Sequence, residues 1–298
     1  MFEKFCLLND IKYKKAEQMQ KHTSFKIGGP ADFFIEPKNT DELCLLVKHL
    51  KENEIPFFII GKGSNLLVSD EGIEGVVISL ALFDNVSVNE KEITAEAGAS
   101  LTAVCLSALN NSLKGLEFAY GIPGSVGGAL FMNAGAYGGE MSHVVKSAEY
   151  VTDEGETGTI LAEDMKLGYR TSIFKDGKKI ITSVTFDLED GEPKDIKGNM
   201  DDYMSRRKLK QPLEYPSAGS TFKRPEGNFA GALIEKNNLK KVSVGGAMVS
   251  EKHAGFIINY NNATCEDVKG LISVVKNKVL EADGIELEPE VILVGRGI

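Results

Sequence analysis

Two dense glycine clusters constrain this chain more than any other feature of its sequence. The first, Gly61-Lys62-Gly63-Ser64-Asn65-Leu66-Leu67, follows directly on the apolar run Phe57-Phe58-Ile59-Ile60. The second, Gly121-Ile122-Pro123-Gly124-Ser125-Val126-Gly127-Gly128-Ala129, leads into Met132-Asn133-Ala134-Gly135-Ala136-Tyr137-Gly138-Gly139. A residue without Cβ lets the main chain turn sharply and approach a ligand closely. Successive amides in such turns form a concavity that binds anions. One cluster alone reads most simply as a tight turn. Two clusters, holding many of the 31 glycines, point to a phosphate-bearing ligand. A Rossmann site needs G-x-G-x-x-G between strand and helix, with an acid about 20 residues on. Here Leu66 stands where the third glycine belongs, and no convincing helix follows. The Walker pattern G-x-x-x-x-G-K-[ST] is also missing. Spacing alone therefore says phosphate and not Rossmann, and does not say which nucleotide.

The periodicity around these loops predicts a mixed α+β chain. A helix is expected over about 41–53, with Thr40 as cap and Leu43, Leu46, Val47 and Leu50 as its apolar stripe. The runs 57–60 and 75–80 read as strands and complete a small α/β unit. Val86-Ser87-Val88 and Ile93-Thr94-Ala95 flank a charged turn and predict a hairpin. Ser100 is placed to cap a second helix that Gly115 ends. Strands over 148–152, 157–161 and 179–188 make the middle of the chain sheet-rich. Asp190-Gly191-Glu192-Pro193 marks a boundary, followed by a polar helix over about 194–208. A short helix is expected over 229–237, and a longer one capped by Thr264 with Asp267 three residues on. A strand over 290–294 closes the chain. The expected division is 1–82, 83–192 and 193–298.

Composition narrows the partners. A net charge of −9 repels phosphate backbones, so nucleic acid is not expected as a ligand. An anionic substrate would then need a local cluster of arginine and lysine. Cys6, Cys44, Cys105 and Cys265 are far apart and show no zinc or redox spacing, and the four histidines are scattered. No metal is expected. The first residues lack the unbroken apolar core of a signal peptide. No stretch approaches the roughly 20 apolar residues that span a bilayer. A cytoplasmic protein outside the membrane is the expectation.

Taken in order, several segments resemble one family. His22-Thr23-Ser24-Phe25-Lys26-Ile27-Gly28-Gly29-Pro30-Ala31-Asp32 is similar to the opening motif of UDP-N-acetylenolpyruvoylglucosamine reductases. The two glycine clusters resemble that family's FAD-phosphate loops. Gly168-Tyr169-Arg170-Thr171-Ser172-Ile173-Phe174-Lys175, Ser217-Ala218-Gly219-Ser220-Thr221-Phe222-Lys223 and Leu287-Glu288-Pro289-Glu290-Val291 follow in register. The likeness runs from about residue 20 to 295 and fits the shorter subclass, which lacks an inserted substrate-covering loop. It implies a two-part FAD-binding region of the vanillyl-alcohol-oxidase-like type plus a C-terminal α+β substrate domain. It also implies non-covalent FAD and NADPH as co-substrate, and a monomer is the expectation for the chain. The implied reaction is reduction of UDP-N-acetylglucosamine enolpyruvate to UDP-N-acetylmuramate, a wall precursor.

The resemblance also implies roles for residues that look ordinary on their own. FAD is expected on Gly61, Lys62, Gly63, Ser64, Asn65 and Leu66, on Gly121, Ile122, Pro123, Gly124, Ser125, Gly127 and Gly128, and on Asn133, Ala134 and Gly135. Arg170 reads by itself as a turn arginine, Ser220 as a turn serine and Glu290 as a strand-end carboxylate. In the matched motifs they become the carboxylate clamp, the proton donor and the catalytic glutamate. A guanidinium grips a carboxylate through paired hydrogen bonds and stays charged, which suits an enolate-like transition state. Glu290 helps such a state only if protonated, so a partly desolvated site is expected to raise its pKa. Glu288, two residues away, is its natural rival. Tyr169, Lys208, Lys223 and Arg224 are expected on the substrate side. Two other readings stay open on sequence: an FAD-dependent oxidase of a small alcohol or lactone, and a flavin- or UDP-sugar-binding regulator without catalysis.

Overall fold

In the computed structural model, which describes residues 2–298, the helix Thr40–Glu52 shows how sequence pattern becomes packing. Asn39 is extended and its side chain accepts from the Glu42 amide, so Asn39 takes the capping role expected of Thr40. Asn39 and Thr40 are both good caps, and the helix begins at the second. Leu43, Leu46, Val47 and Leu50 are fully buried. Each such side chain contributes about 1.5–3 kcal/mol when removed from water.

The chain divides into two compact units interleaved in sequence. Unit 1 is Met1–Lys15, Phe33–Lys62 and Gly75–Arg207; unit 2 is Ala16–Asp32, Gly63–Glu74 and Lys208–Ile298. Each has its own apolar core.

In unit 1, Phe57–Ile60 pairs in parallel with Ile73–Ser79, Phe57 opposite Val76 and Ile60 opposite Ser79. A second, five-stranded antiparallel sheet has the order Thr157–Leu161, Val145–Thr152, Lys179–Asp187, Glu92–Glu96, Val86–Asn89. Both expected hairpins are therefore present. Helix Leu101–Asn110 is capped by Ser100, whose hydroxyl accepts from the Ala103 amide. The polar helix forms over Pro193–Lys210, with proline at its first position, where no amide hydrogen is needed.

Unit 2 contains features the pattern did not suggest. Strands Ser243–Val244, Ala247–Val249 and Ile257–Asn259 form an antiparallel sheet against which helix Cys265–Asp283 packs. The final strand is Ile292–Val294, shorter than expected, and it pairs in parallel with Leu66–Val68 of the first glycine cluster. Arg296 grips Asp32 through two 2.7 Å bonds, and Asp70 accepts from the Cys265 and Glu266 amides at the start of the long helix. The opening motif is thus part of the scaffold: Ser24 donates its amide to the Gly63 carbonyl and its hydroxyl to the Ser217 carbonyl at 2.6 Å.

The long helix carries the expected reciprocal cap, Thr264 Oγ1 accepting from the Asp267 amide and Asp267 from the Thr264 amide. Asp267 also accepts from the Gly246 amide, and these donors hold its carboxyl below the ordinary aspartate value of 3.8. Its stabilising effect is therefore present above the unfolded pKa and lost as pH falls through the folded one. Thr264→Ala is expected to lower unfolding stability by about 1 kcal/mol in a urea titration. Asp267→Asn should shrink the loss of stability on acidification below pH 3.8.

Candidate active site

Strand Phe57–Ile60 delivers the first glycine cluster at its end. A Cβ on Gly61 would lie 2.3 Å from Ser125 Oγ, so only a bare Cα lets the two clusters approach. Gly63 has φ +59, and a Cβ there would meet the His22 carbonyl at 2.1 Å. Ser125 is buried and caps helix Val126–Phe131 by accepting from the Gly128 amide. Among the described residues, the amides of Gly61, Lys62, Ser64 and Asn65 donate to no protein acceptor. Exposed amides on a glycine turn suit a pyrophosphate, so the residues present fit an FAD cradle. Not every expected amide is available. Gly127 donates to the Ala97 carbonyl at 2.8 Å and packs on that residue, where a Cβ would meet the Ala97 Cβ at 2.8 Å. Leu66 enters the short strand. Ile122, Pro123 and Gly124 form the turn before Ser125, with the Gly124 carbonyl accepting from Leu101. Gly121 lies against the Met204 and Arg207 side chains.

Arg207 was hidden in the sequence among charged neighbours. Arg206 is exposed and pairs with Asp202, and Lys208 is exposed, but Arg207 is only 8% exposed. It shares the buried face of its helix with Ile196 and Met200, at helical spacing. Its guanidinium lies 6.0 Å from the Tyr137 ring, which stacks on Tyr203. Burial lowers its pKa. A buried guanidinium beside a glycine turn can neutralise an anion bound there.

The second cluster continues into a support for Arg170. Asn133 is fully buried, and its side chain engages three partners. Oδ1 accepts from the Ser142 amide at 2.9 Å; Nδ2 donates to Glu140 Oε1 and to the Gly168 carbonyl, both at 3.1 Å. Gly168 and Thr171 exchange two main-chain bonds and close a turn that presents Tyr169 and Arg170. Arg170 has φ 54, a conformation costly for a side chain with Cβ and held only where neighbours enforce it. Its guanidinium stacks 5.1 Å from the Tyr169 ring. Ser172 anchors the exit of the turn by donating to the Phe131 carbonyl. The Ser142 hydroxyl and Asn133 amide, helped by the charges of His143 and Arg170, hold the Glu140 carboxyl below the usual range. Ala134 donates to the Ala129 carbonyl, and Gly135 pairs with Glu140.

Ser220 and Glu290 both lie in unit 2. Gly219, at φ +77, turns the chain so that Ser220 is exposed. The next residue, Thr221, accepts from the Glu290 amide through its carbonyl at 2.8 Å. Phe222 bridges Pro289, and Asn65 Nδ2 donates to the Glu290 carbonyl at 3.2 Å. Glu288 instead forms an ion pair with Lys223, which separates the two glutamates. Arg224 stacks on the half-exposed Phe229 ring at 3.8 Å. Among the described residues no cluster of three or more histidine, cysteine, aspartate or glutamate side chains could hold a metal. Burial pushes the Cys105 thiol up to about 12.

Comparison with known proteins places these features in a family. Residues 31–160 match the FAD binding domain, and residues 211–294 match the UDP-N-acetylenolpyruvoylglucosamine reductase, C-terminal domain. The chain is 52% identical over 290 residues to a UDP-N-acetylenolpyruvoylglucosamine reductase of Caldanaerobacter subterraneus subsp. tengcongensis, covering 97% of this chain and 96% of that one. The crystal structure of the enzyme so named from Thermus caldophilus superposes with a TM-score of 0.82 at 33% identity, covering 95% of this chain and 99% of that one. A berberine bridge enzyme variant shares the fold at TM-score 0.50 and 13% identity, over 65% of this chain and 44% of that one.

Asn133→Ala leaves the part-buried Ser142 amide without its side-chain acceptor and removes the tie between Asn133 and the Gly168 carbonyl, which keeps only its bond from Thr171. It is expected to cost about 1–3 kcal/mol for the amide left unpaired, read as a lower midpoint in thermal or urea unfolding. A midpoint equal to wild type would mean that water or a neighbour replaces the amide.

Proposed function

The chain belongs to the UDP-N-acetylenolpyruvoylglucosamine reductase family, and we propose that it reduces UDP-N-acetylglucosamine enolpyruvate to UDP-N-acetylmuramate, with NADPH as donor, through Arg170, Ser220 and Glu290. The observation that carries this assignment is the turn Gly168–Thr171, which fixes Arg170 in a strained conformation on a fully hydrogen-bonded support. Strain retained at such a point is a mark of function.

FAD, when bound, supplies the redox chemistry that connects the nicotinamide to the enolpyruvyl double bond. The protein supplies placement, charge and a proton. Arg170 grips the substrate carboxylate and stabilises negative charge as it develops on the adjoining carbon. Ser220 Oγ gives its proton to that carbon. Glu290, protonated, donates a hydrogen bond to the enolate oxygen. The first and second glycine clusters would hold the FAD pyrophosphate. Asn133, expected among the cofactor contacts, also ties its side chain to the Arg170 turn. Tyr169 lies on the substrate side, and Lys208, Lys223 and Arg224 supply the positive charge that an acidic chain needs to retain a UDP-sugar. Residues 1–82 and 83–192 serve FAD, and 193–298 serve the substrate.

No helix among the described residues is long and apolar enough to cross a membrane. We place the enzyme in the cytoplasm as a monomer. Light scattering should return about the chain mass of 32.3 kDa, and cell fractionation should recover it with soluble markers; a doubled mass or a membrane-bound pool would revise these points.

Arg170→Lys should keep FAD bound and lower turnover by about 10²–10³-fold, the usual cost of losing one transition-state donor. Ser220→Ala should remove about 10²–10⁴-fold, the range of general acid catalysis, and only in the step that consumes substrate. Product formation is followed by chromatography of the UDP-sugars. Wild-type turnover in either variant would remove that residue from the mechanism.

A further inference from the structure

Thr221 has no assigned role, yet its position is unusual. It follows Ser220 directly and is only 3% exposed. Its three main-chain and side-chain polar groups are all engaged. The amide donates to the Gly255 carbonyl at 2.8 Å, Oγ1 accepts from the Ile257 amide at 3.0 Å, and the carbonyl accepts from the Glu290 amide at 2.8 Å. The last bond reaches across 69 residues of sequence, to the other side chain that handles protons. From the opposite side, Asn65 Nδ2 donates to the Glu290 carbonyl, and the Asn65 carbonyl accepts from the Ile292 amide. Glu290 is therefore held at both its main-chain groups. The Gly255 carbonyl is itself set by a short loop in which the Gly255 amide donates to His253 Nδ1.

We propose that Thr221, with Asn65 opposite, is a positioning residue that sets the Glu290 main chain against Ser220, so that the two side chains meet the carbon and the oxygen of the same enolate. The proposal rests on the assignment of Ser220 and Glu290 to proton handling. A hydroxyl at 221 matters because it is the acceptor for the amide of the buried residue Ile257. Valine has the shape of threonine but cannot accept that bond. The turn then shifts, and Ser220 and Glu290 move relative to each other. Small misplacements of this kind cost about 10²-fold when reacting groups must align. FAD reduction by NADPH uses neither side chain and is left intact.

The test compares wild type, Thr221→Val and Thr221→Ser as FAD-loaded proteins in anaerobic stopped flow. Bleaching of the flavin by NADPH should be unchanged in all three. Recolouring by UDP-N-acetylglucosamine enolpyruvate should slow by about 10–100-fold in T221V and recover in T221S, which keeps the acceptor. Equal recolouring in T221V and wild type overturns the proposal, as does equal slowing in T221V and T221S. Should T221V fail to fold, Thr221→Cys takes its place: a thiol fills the site but is only a weak acceptor, so recolouring should slow with bleaching unchanged, and a normal rate would again overturn the proposal. A wild-type protein that this substrate cannot recolour would defeat the functional assignment rather than the clamp.

Discussion

The close approach of Gly61 to Ser125 is the constraint on which the candidate site depends. The strand Phe57–Ile60 ends where the loop must turn, and any Cβ at Gly61 would drive Ser125 Oγ from the Gly128 amide it caps. The bare Cα thus serves two purposes. It admits the second cluster, and it leaves amides of the first free to face an anion. The same second cluster, eight residues after Ser125, also provides a support. Asn133 ties it to Gly168 and so to Arg170. One stretch of chain therefore links the place that fits a pyrophosphate to the turn that carries Arg170.

Unit 2 solves a similar problem with different parts. Ser220 and Glu290 come from segments far apart in sequence, and the main chain between them is joined by bonds through Thr221 and Asn65. Ser24 adds a further tie by reaching both Gly63 and Ser217. Each bond is individually modest, about 0.5–1.5 kcal/mol net. Their value lies in fixing geometry, because a buried main-chain group left unpaired costs more than the bond itself contributes. The acidic chain also needs cations near an anionic ligand. The structure separates Arg207, buried beside Gly121, from the solvent-facing Arg206 and Lys208.

Much of this was readable in the sequence because it is local. Leu43, Leu46, Val47 and Leu50 announce their helix by spacing, and Thr264 with Asp267 announces a cap. The hairpins of residues 86–96 and 145–161 follow from alternation around charged turns. What was not readable is long-range. The pairing of Leu66–Val68 with Ile292–Val294 joins opposite ends of the chain, so the final strand begins after Glu290 rather than at it. Asn39 rather than Thr40 caps its helix, a choice between two neighbours that propensity alone cannot make. The bond from Asn133 to Gly168 spans 35 residues and leaves no local signal. Thr221 carries no motif signal of its own. Arg207 could have been singled out, since it falls on the face of its helix shared by Ile196 and Met200.

The most direct measurement is the FAD affinity of Gly61→Ala, by fluorescence titration of the stripped protein alongside its circular dichroism. An added methyl must displace Ser125 Oγ or hold the two loops apart. The variant should keep its secondary structure, purify colourless, and bind FAD far more weakly than wild type. A yellow G61A protein with wild-type FAD affinity would contradict the cradle, and with it the dependence of the site on the meeting of these two loops.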